Sequence, residues 1–415
     1  MTIYKQAARR EWFLALALVC GACGSDASKE PTEPDEPGDE PELAVPVNPT
    51  EKQLENRAYI VSQRSDELTV IDIDKLEIIG RVPTGGFGNH MAELTGDFRQ
   101  ILVTSAETDE GVIVDTVNLK VDGKFPLTGH PTHISRTPDD RLFAVMTEET
   151  NEVAFVDGND RSITKRLGGF STPHFMRFTS DGNFGYVANI GGNRITRVDM
   201  QNLAIMGDIS LDGFADRREI EEEGGFADAQ IANDGILYAA HHSSGKVLAI
   251  DSNTGKKLTE INVGAGPWVA FAESPFKGVK LNHVVPNFGD KTLTIINGTN
   301  KAKPEVSATL EGDEEAYGVN FSPLAPDLAF VMNRVREDIA VVDTTQGKII
   351  ERIPVGGNTE TASTTADGKY IIATVSSANS VVVIDVATRK VKKTFDHIGS
   401  YPWSVTIPKG QNYCH

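Results

Sequence analysis

The sequence predicts an all-β protein, an eight-bladed β-propeller in which each blade is a four-stranded antiparallel sheet. Three observations support this prediction. Short strand patterns are bounded by turn residues, the same patterns recur at a nearly constant spacing, and the two ends of the repeated region complement each other.

The clearest single repeat spans residues 367–403. Its strands are short, each is alternating or wholly apolar, and turn residues separate them, which is typical of a small antiparallel meander. Its parts are, in order, a turn at Asp367-Gly368, a strand at 370–374, a polar loop at 376–380, an apolar strand at 381–385, a turn at 387–388, an outer strand at 391–395 and a Gly-x-x-Pro-Trp corner at 399–403.

Copies of this repeat recur about every 45 residues, the spacing of a four-stranded propeller blade. An apolar strand that ends in Asp or Asn marks each copy. The eight marker strands are 68–72, 111–115, 153–157, 195–199, 247–251, 293–297, 339–343 and 381–385. Because one blade cannot bury both of its faces alone, we expect the copies to stack in a ring. Seven blades are the alternative if one copy is degenerate.

The ends of the repeated region predict how the ring closes. The first copy begins at Ala58 with a second strand and lacks an innermost one, whereas the last copy is followed by an innermost-type strand at 403–407. We therefore expect the C-terminal strand to complete the first blade, which removes the open edge of an incomplete ring.

The repeat resembles the YVTN-type propeller repeat, most closely at Tyr186-Val187-Ala188-Asn189 and within 367–385, and the resemblance covers roughly residues 57–408. Eight such blades are also similar to the cytochrome d1 haem domain and its relatives. The resemblance implies the fold but does not imply one activity, because this scaffold carries unrelated functions.

Residues 1–22 are expected to form a lipoprotein signal peptide. A basic start precedes an apolar run at 12–19 that is too short to span a bilayer, and the small pair Gly21-Ala22 precedes Cys23. This segment resembles a bacterial lipobox, except that Cys20 stands where Leu is usual. The resemblance implies that Cys23 is lipidated and anchors the protein to membrane lipid. An ordinary signal peptide with a chance cysteine is the alternative.

The chain is then expected to comprise an acidic, Pro-rich tether at 23–55 and the propeller at 56–415. This order predicts a lipid-anchored protein of the bacterial cell envelope, periplasmic or surface-exposed, with the outer membrane favoured. The formal net charge of −19 argues against nucleic acid as a partner. Cys414 is the one cysteine left in the propeller, so no disulfide is expected within it.

Aligning the copies on their turns predicts one position just inside the mouth of the central channel. Its occupants are His90, Thr132, His174, Ala227, Trp268, Tyr317, Glu360 and Trp403, and neighbouring positions add His130, His133, Asp228, Glu315, His241 and His242. The opposite face, with Asp-Gly and Asp-Asp turns, looks like plain loop structure.

Imidazole and carboxylate groups that converge on one opening suit Zn²⁺ or Cu²⁺, or the axial ligation of a haem-like tetrapyrrole. The candidate metal ligands are His90, His130, His133, His174, His241 and Glu360. Flat apolar walls for a ring-shaped ligand are expected from Trp268, Tyr317 and Trp403. The alternative is that each histidine only hydrogen-bonds a neighbouring loop.

An insertion in the fourth repeat, 208–228, lies on the predicted mouth side. Its charged centre is flanked by Gly213 and Gly224-Gly225, which would allow a short helix to act as a lid. A solvated excursion of the loop is the alternative.

These features predict a membrane-anchored binding protein that holds a metal or tetrapyrrole cofactor at its channel mouth. A propeller oxidoreductase or cofactor-maturation enzyme is one alternative, and a docking scaffold for another envelope protein is the other. No nucleophile elbow, phosphate loop or spaced carboxylate pair identifies a reaction.

Overall fold

The computed structural model describes residues 48–213, 224–269, 282–311 and 315–412. They form a ring of eight antiparallel sheets, so the predicted eight-bladed β-propeller is confirmed and the seven-bladed alternative is wrong. Six sheets have four strands, one has five, and one has three within these residues.

The blades are numbered 1 to 8 in chain order. The strands of blades 1 to 4 are β1 (Arg57–Ser62), β2 (Glu67–Asp72), β3 (Glu77–Pro83), β4 (Asn89–Leu94), β5 (Gln100–Ser105), β6 (Glu110–Asp115), β7 (Lys120–Pro126), β8 (Pro131–Arg136), β9 (Leu142–Thr147), β10 (Glu152–Asp157), β11 (Ile163–Gly168), β12 (Pro173–Phe178), β13 (Phe184–Asn189), β14 (Arg194–Asp199) and β15 (Ala204–Ser210).

The strands of blades 5 to 8 and of the C-terminal segment are β16 (Phe226–Ile231), β17 (Ile236–His241), β18 (Lys246–Asp251), β19 (Lys256–Asn262), β20 (Asn282–Asn287), β21 (Thr292–Asn297), β22 (Glu305–Glu311), β23 (Ala316–Phe321), β24 (Leu328–Asn333), β25 (Asp338–Asp343), β26 (Lys348–Pro354), β27 (Thr359–Thr364), β28 (Tyr370–Val375), β29 (Ser380–Asp385), β30 (Lys390–Phe395), β31 (Pro402–Thr406) and β32 (Gln411–Asn412).

Each marker strand of the sequence is the third strand of its blade, and the acidic or amide residue that ends it forms a turn. In Asp115, Oδ1 accepts hydrogen bonds from the backbone N–H groups of Val117 and Asn118, two and three residues later. Asp199 and Asp343 make the same pair of bonds in their own blades. A short side chain that captures these donors fixes the turn into the outermost strand, which explains the regular spacing of the repeats.

The ring closes as the chain ends predict. Strand β31 pairs antiparallel with β1, with Val405 opposite Ile60 and Thr406 opposite Tyr59, so the C-terminal segment supplies the innermost strand of blade 1. The chain then returns to blade 8, where β32 adds to the inner edge of β27 through the pairs Ser363–Asn412 and Thr364–Gln411. Both ends of the described region are thereby tied into sheets.

The apolar core lies between neighbouring blades. One cluster combines Ala58 and Ile60 of blade 1 with Ile372 and Val383 of blade 8 and with Val405 of the closing strand, all essentially inaccessible to solvent. The other clusters likewise join adjacent blades, so every blade buries both faces only because it has two neighbours.

Side-chain hydrogen bonds join the innermost strands across blade boundaries. Thr361 Oγ1 donates to the carbonyl oxygen of Trp403 at 2.6 Å, and Thr406 Oγ1 donates to that of Ala92 at 2.9 Å. The acceptor strands β31 and β4 are the inner edges of their sheets, so such bonds satisfy carbonyl groups that would otherwise be unpaired.

A short helix, α1 (Glu51–Glu55), precedes β1 and lies within the stretch assigned to the tether. Thr50 and Gln53 form a capping box at its start, and Leu54 packs into the core. The part of the chain that the structure describes contains no helix long and apolar enough to cross a membrane.

Candidate functional site at the channel mouth

The position that the repeat alignment singled out has a common backbone feature. In each of the seven blades whose innermost strand is described, pairing with the second strand shifts at this position, so the aligned residue sits in a β-bulge. His90, for example, lies between the pairs Asn89–Ser105 and Ala92–Val103. A bulge bends the strand and redirects a side chain, which explains how one position around the ring turns toward the channel.

The side chains at this position and their neighbours form a nearly continuous circuit of flat groups around the mouth. Successive members come from blades 1, 2, 3, 4, 6 and 7. The centre-to-centre distances are 5.5 Å for Trp403–His90, 5.0 Å for His90–His133, 4.2 Å for His133–His174, 6.3 Å for His174–Trp268 and 6.1 Å for Trp268–Tyr317, and the Arg334 guanidinium lies 3.5 Å from the Tyr317 ring and 5.8 Å from the Trp403 ring.

One half of the circuit consists of three imidazoles from blades 2, 3 and 4. His90 and His174 occupy the aligned position, whereas blade 3 contributes His133, the residue after Thr132 in the same bulge. His174 Nδ1 lies 2.6 Å from the carbonyl oxygen of Ala227, and His133 Nδ1 lies 3.0 Å from Thr132 Oγ1. The structure therefore brings these three predicted rings close together, with Thr132 and Ala227 as hydrogen-bond partners of two of them.

Burial keeps two of these imidazoles neutral at ordinary pH. It lowers the pKa of His90 to about 3, with a further decrease from the neighbouring His174 and His130 rings. Burial also lowers the pKa of His174 to about 4, against a smaller opposing effect of the hydrogen bond to Ala227. A neutral imidazole has a lone pair available for a metal ion, so this half of the mouth suits a cation ligand.

A carboxylate that the sequence reading did not include lies beside the imidazoles. Glu148, His133 and His174 each have one potential metal-ligand atom, and these three atoms lie within 4.8 Å of one another. Glu148 Oε1 lies 4.0 Å from His133 Nδ1 and accepts a hydrogen bond from Thr132 Oγ1 at 2.7 Å. Glu148 follows the second strand of blade 3, and loops in that place emerge at the mouth, so the repeat alignment held a signal that could have found it.

The other half of the circuit is aromatic. Trp268 and Tyr317, both predicted as walls for a ligand, stack with Phe288 at 5.5 and 5.8 Å, and Phe288 was not predicted. Trp403 stacks on Tyr401 at 6.0 Å. Trp268, Tyr317 and Trp403 are almost fully buried, Phe288 and Tyr401 are partly exposed, and the rings stack in two groups that form an apolar rim.

Glu360, a predicted metal ligand, is bound by two neighbouring side chains. Arg334 Nε donates to one carboxylate oxygen at 2.5 Å, and the Tyr401 hydroxyl donates to the other at 3.0 Å. Only 2 % of Glu360 is exposed, so its charge is compensated mainly by the Arg334 guanidinium. Glu360 is thereby held beside the aromatic half of the mouth.

The remaining predicted histidines lie close to the mouth but outside the circuit. His130 precedes β8 in a left-handed backbone conformation and is half-buried. His241, the last residue of β17, is fully buried, with Nε2 against Asn193 Oδ1 and its ring 4.9 Å from that of Phe226. Its neighbour His242 contacts the circuit, with its ring 5.5 Å from Trp268.

Four predictions fall on residues outside the described part of the chain. These are the signal peptide, the tether from Cys23 to residue 47, the charged centre of the 208–228 insertion, and Cys414. The lipid anchor and the lid therefore stay predictions.

Known proteins were compared with this chain in sequence and in structure, and similarity was found only to solved structures. No family model and no curated protein matches the chain. Among solved structures, dihydro-heme d1 dehydrogenase NirN in complex with DHE is similar over 86 % of this chain and 76 % of its own, with 15 % identity and a TM-score of 0.71.

Two further solved structures have lower TM-scores. Apo AztD from Citrobacter koseri covers 84 % of this chain and 96 % of its own at 12 % identity, with a TM-score of 0.57. BamB from Moraxella catarrhalis covers 76 % and 88 % at 12 % identity, with the same TM-score. At these identities the similarities show the β-propeller fold and no more.

Proposed function

We propose that this chain is a membrane-anchored, extracytoplasmic propeller that binds a metal ion or a tetrapyrrole-type cofactor at its channel mouth. The observation that carries the proposal is the group of three imidazoles from three blades, with ring centres 5.0 and 4.2 Å apart. Grouping three histidines at the end of a propeller's central channel is expected of a binding site more than of packing alone.

Nitrogen ligands of this kind favour Zn²⁺ or copper over Mg²⁺ or Ca²⁺, which prefer oxygen. Two unpaired polar atoms also support a ligand. His90 Nδ1 and Trp403 Nε1 are buried and have no hydrogen-bond partner within the described residues. Buried polar atoms normally have partners, so these two are suited to contact a bound group.

A tetrapyrrole is the second candidate, and the aromatic half of the mouth favours it. Trp268, Tyr317 and Trp403 would supply flat apolar surfaces, and one of the imidazoles would be the axial ligand. The similarity to NirN in complex with DHE supports this candidate at the level of the fold. Because the rim side chains already contact each other, a macrocycle would have to displace some of them, whereas a single ion would not.

Metal analysis and a visible absorption spectrum of the purified protein test the proposal. Titration with Zn²⁺, Cu²⁺ and haemin should then give stoichiometric binding of at least one of them. The double variant His90→Ala/His174→Ala should weaken that binding by at least about 100-fold, and His397→Ala, in an exposed loop, should not change it. Undiminished stoichiometric binding by the double variant would contradict the site.

The location is part of the same proposal. A lipidated Cys23 would hold the propeller at a membrane surface, with the acidic segment as spacer. Cys23→Ser should move the protein from the detergent phase to the aqueous phase in a phase-partition experiment. Aqueous partition of the unmodified protein would argue against the anchor.

A docking role is the alternative that one observation favours. Phe87 and Val335 are about half exposed, and both lie in mouth-side loops. Exposed apolar side chains on a rim are suited to contact a protein partner. Cross-linking in envelope extracts should then give a stoichiometric partner that is lost in Phe87→Ser/Val335→Ser, and no such partner would count against docking.

A further inference from the structure

We infer that His90, His133 and His174 form a three-histidine site for Zn²⁺ or copper, and that Thr132 and Glu148 orient its ligands. This inference rests on the proposed function and narrows it to a metal ion with named ligands. It also gives ligand-orienting roles to Thr132 and Glu148, neither of which is one of the three proposed ligands.

The spacing of the rings fits one tetrahedral ion. With metal–nitrogen distances of about 2.0–2.1 Å, two imidazoles on one ion have ring centres about 5 Å apart. The observed separations are 5.0 Å for His90–His133 and 4.2 Å for His133–His174. Both neighbouring pairs are thus close to the separation that a shared ion requires, with the His133 ring between the other two, and a fourth ligand could approach from the channel.

The tautomer of His174 follows from its hydrogen bond. A carbonyl oxygen can only accept, so the contact between His174 Nδ1 and Ala227 means that Nδ1 carries the proton. Nε2 is then the atom with the lone pair. Metal-binding histidines commonly donate their other ring N–H to a carbonyl group in this way.

The tautomer of His133 follows from a chain of three groups. An ionised carboxylate only accepts, so Thr132 must donate its single hydroxyl proton to Glu148, and the same hydroxyl oxygen must accept from His133 Nδ1. His133 therefore carries its proton on Nδ1 and presents Nε2 as the ligand atom. This chain also explains why Glu148 lies beside the imidazoles: it orients His133 through Thr132 and does not need to bind the ion itself.

His90 contacts the same residue. The backbone of Thr132 opposes part of the decrease in the His90 pKa, and His90 Nδ1 is a buried nitrogen without a partner among the described residues. Thr132 thus contacts two of the three rings, one through its hydroxyl group and one through its backbone. The repeat alignment placed a threonine at the mouth position of blade 3 where neighbouring blades have histidine, and this arrangement gives that threonine a role.

The test is a set of Zn²⁺ and Cu²⁺ titrations by calorimetry on the whole chain, with the number of coordinated nitrogens read from the Cu²⁺ electron paramagnetic resonance spectrum. His133→Ala should abolish tight binding and remove one nitrogen from the spectrum. Thr132→Val and Glu148→Gln should each weaken binding by about 10–100-fold while the nitrogen count stays the same. Thr132→Ser, which keeps the hydroxyl group, should bind like the unmodified protein.

Three outcomes overturn the inference. If Glu148→Gln loses as much affinity as His133→Ala and Thr132→Val loses none, Glu148 binds the ion directly and the orienting roles are wrong. If the unmodified protein binds neither ion but binds haemin in a His174-dependent way, this inference fails and the proposed function stands. If it binds none of the three, both fail. Matched thermal unfolding of all variants separates a loss of ligands from a loss of fold.

Discussion

Replacing His174 by glutamine should reduce the pH dependence of stability of the metal-free protein. Burial lowers the pKa of His174 to about 4, whereas in the unfolded chain the imidazole has its ordinary pKa of 6.5. Between these values the unfolded state binds more protons than the native state. The free energy of unfolding of the unmodified protein therefore falls as the pH falls from 6.5 toward 4.

The magnitude follows from the same two values. A difference of one pKa unit corresponds to 1.36 kcal/mol, so protonation of the unfolded chain at this residue removes about 3 kcal/mol over the whole range. Near the middle of the range the slope is about 1.2 kcal/mol per pH unit, and it falls to about half of that at pH 6.5. Only 8 % of His174 is exposed, so this conversion applies to a desolvated ring. Glutamine cannot titrate, yet its amide can still donate to the Ala227 carbonyl group.

The assay is guanidinium unfolding at several pH values between about 5 and 6.5, with a chelator present because a bound metal would itself stabilise the native state. The difference in unfolding free energy between the unmodified protein and His174→Gln should change with pH by the slope above. His397→Gln, in an exposed loop, is the control and should leave the slope unaltered. A difference that is constant across this range would refute a buried, neutral imidazole at position 174.

Three further predictions concern the architecture around the mouth. Glu360→Gln should destabilise the protein by about 2 kcal/mol in chemical unfolding, because the Arg334 guanidinium loses its charged partner. No loss of stability would mean that the ion pair contributes nothing, and so would an equal loss in an Arg334→Met background. Gly225→Ala should cost about 1–3 kcal/mol, since a Cβ there would lie 2.2 Å from the Gly192 carbonyl oxygen, and an unchanged melting temperature would contradict this close contact. Val405→Asp places a charge in the buried closing strand and should lower the melting temperature severely. Val391→Asp, on the exposed outermost strand of blade 8, is the control and should not lower it severely. Equal effects of the two substitutions would argue against closure by β31.

The sequence by itself determined the strands, the number of blades and the way the ring closes. These features depend on local patterns: apolar alternation sets which residues form a strand, and Asp115, Asp199 and their equivalents bind the backbone two and three residues ahead to set each turn. The repeats also placed His90, His174 and Trp403 at one equivalent position. Residues at the same place within each repeat occupy the same place within each blade, so they lie at the same level of the ring.

The tertiary structure decided which of these side chains meet and through which atoms. Trp403 lies against His90 only because the closing strand brings residues more than 300 positions apart into adjacent blades. Likewise, Glu360 is held by Arg334, and Glu148 reaches His133 through Thr132. Such contacts depend on bulges, on side-chain direction and on the order of blades around the ring, and hydrophobic periodicity carries no information about any of the three.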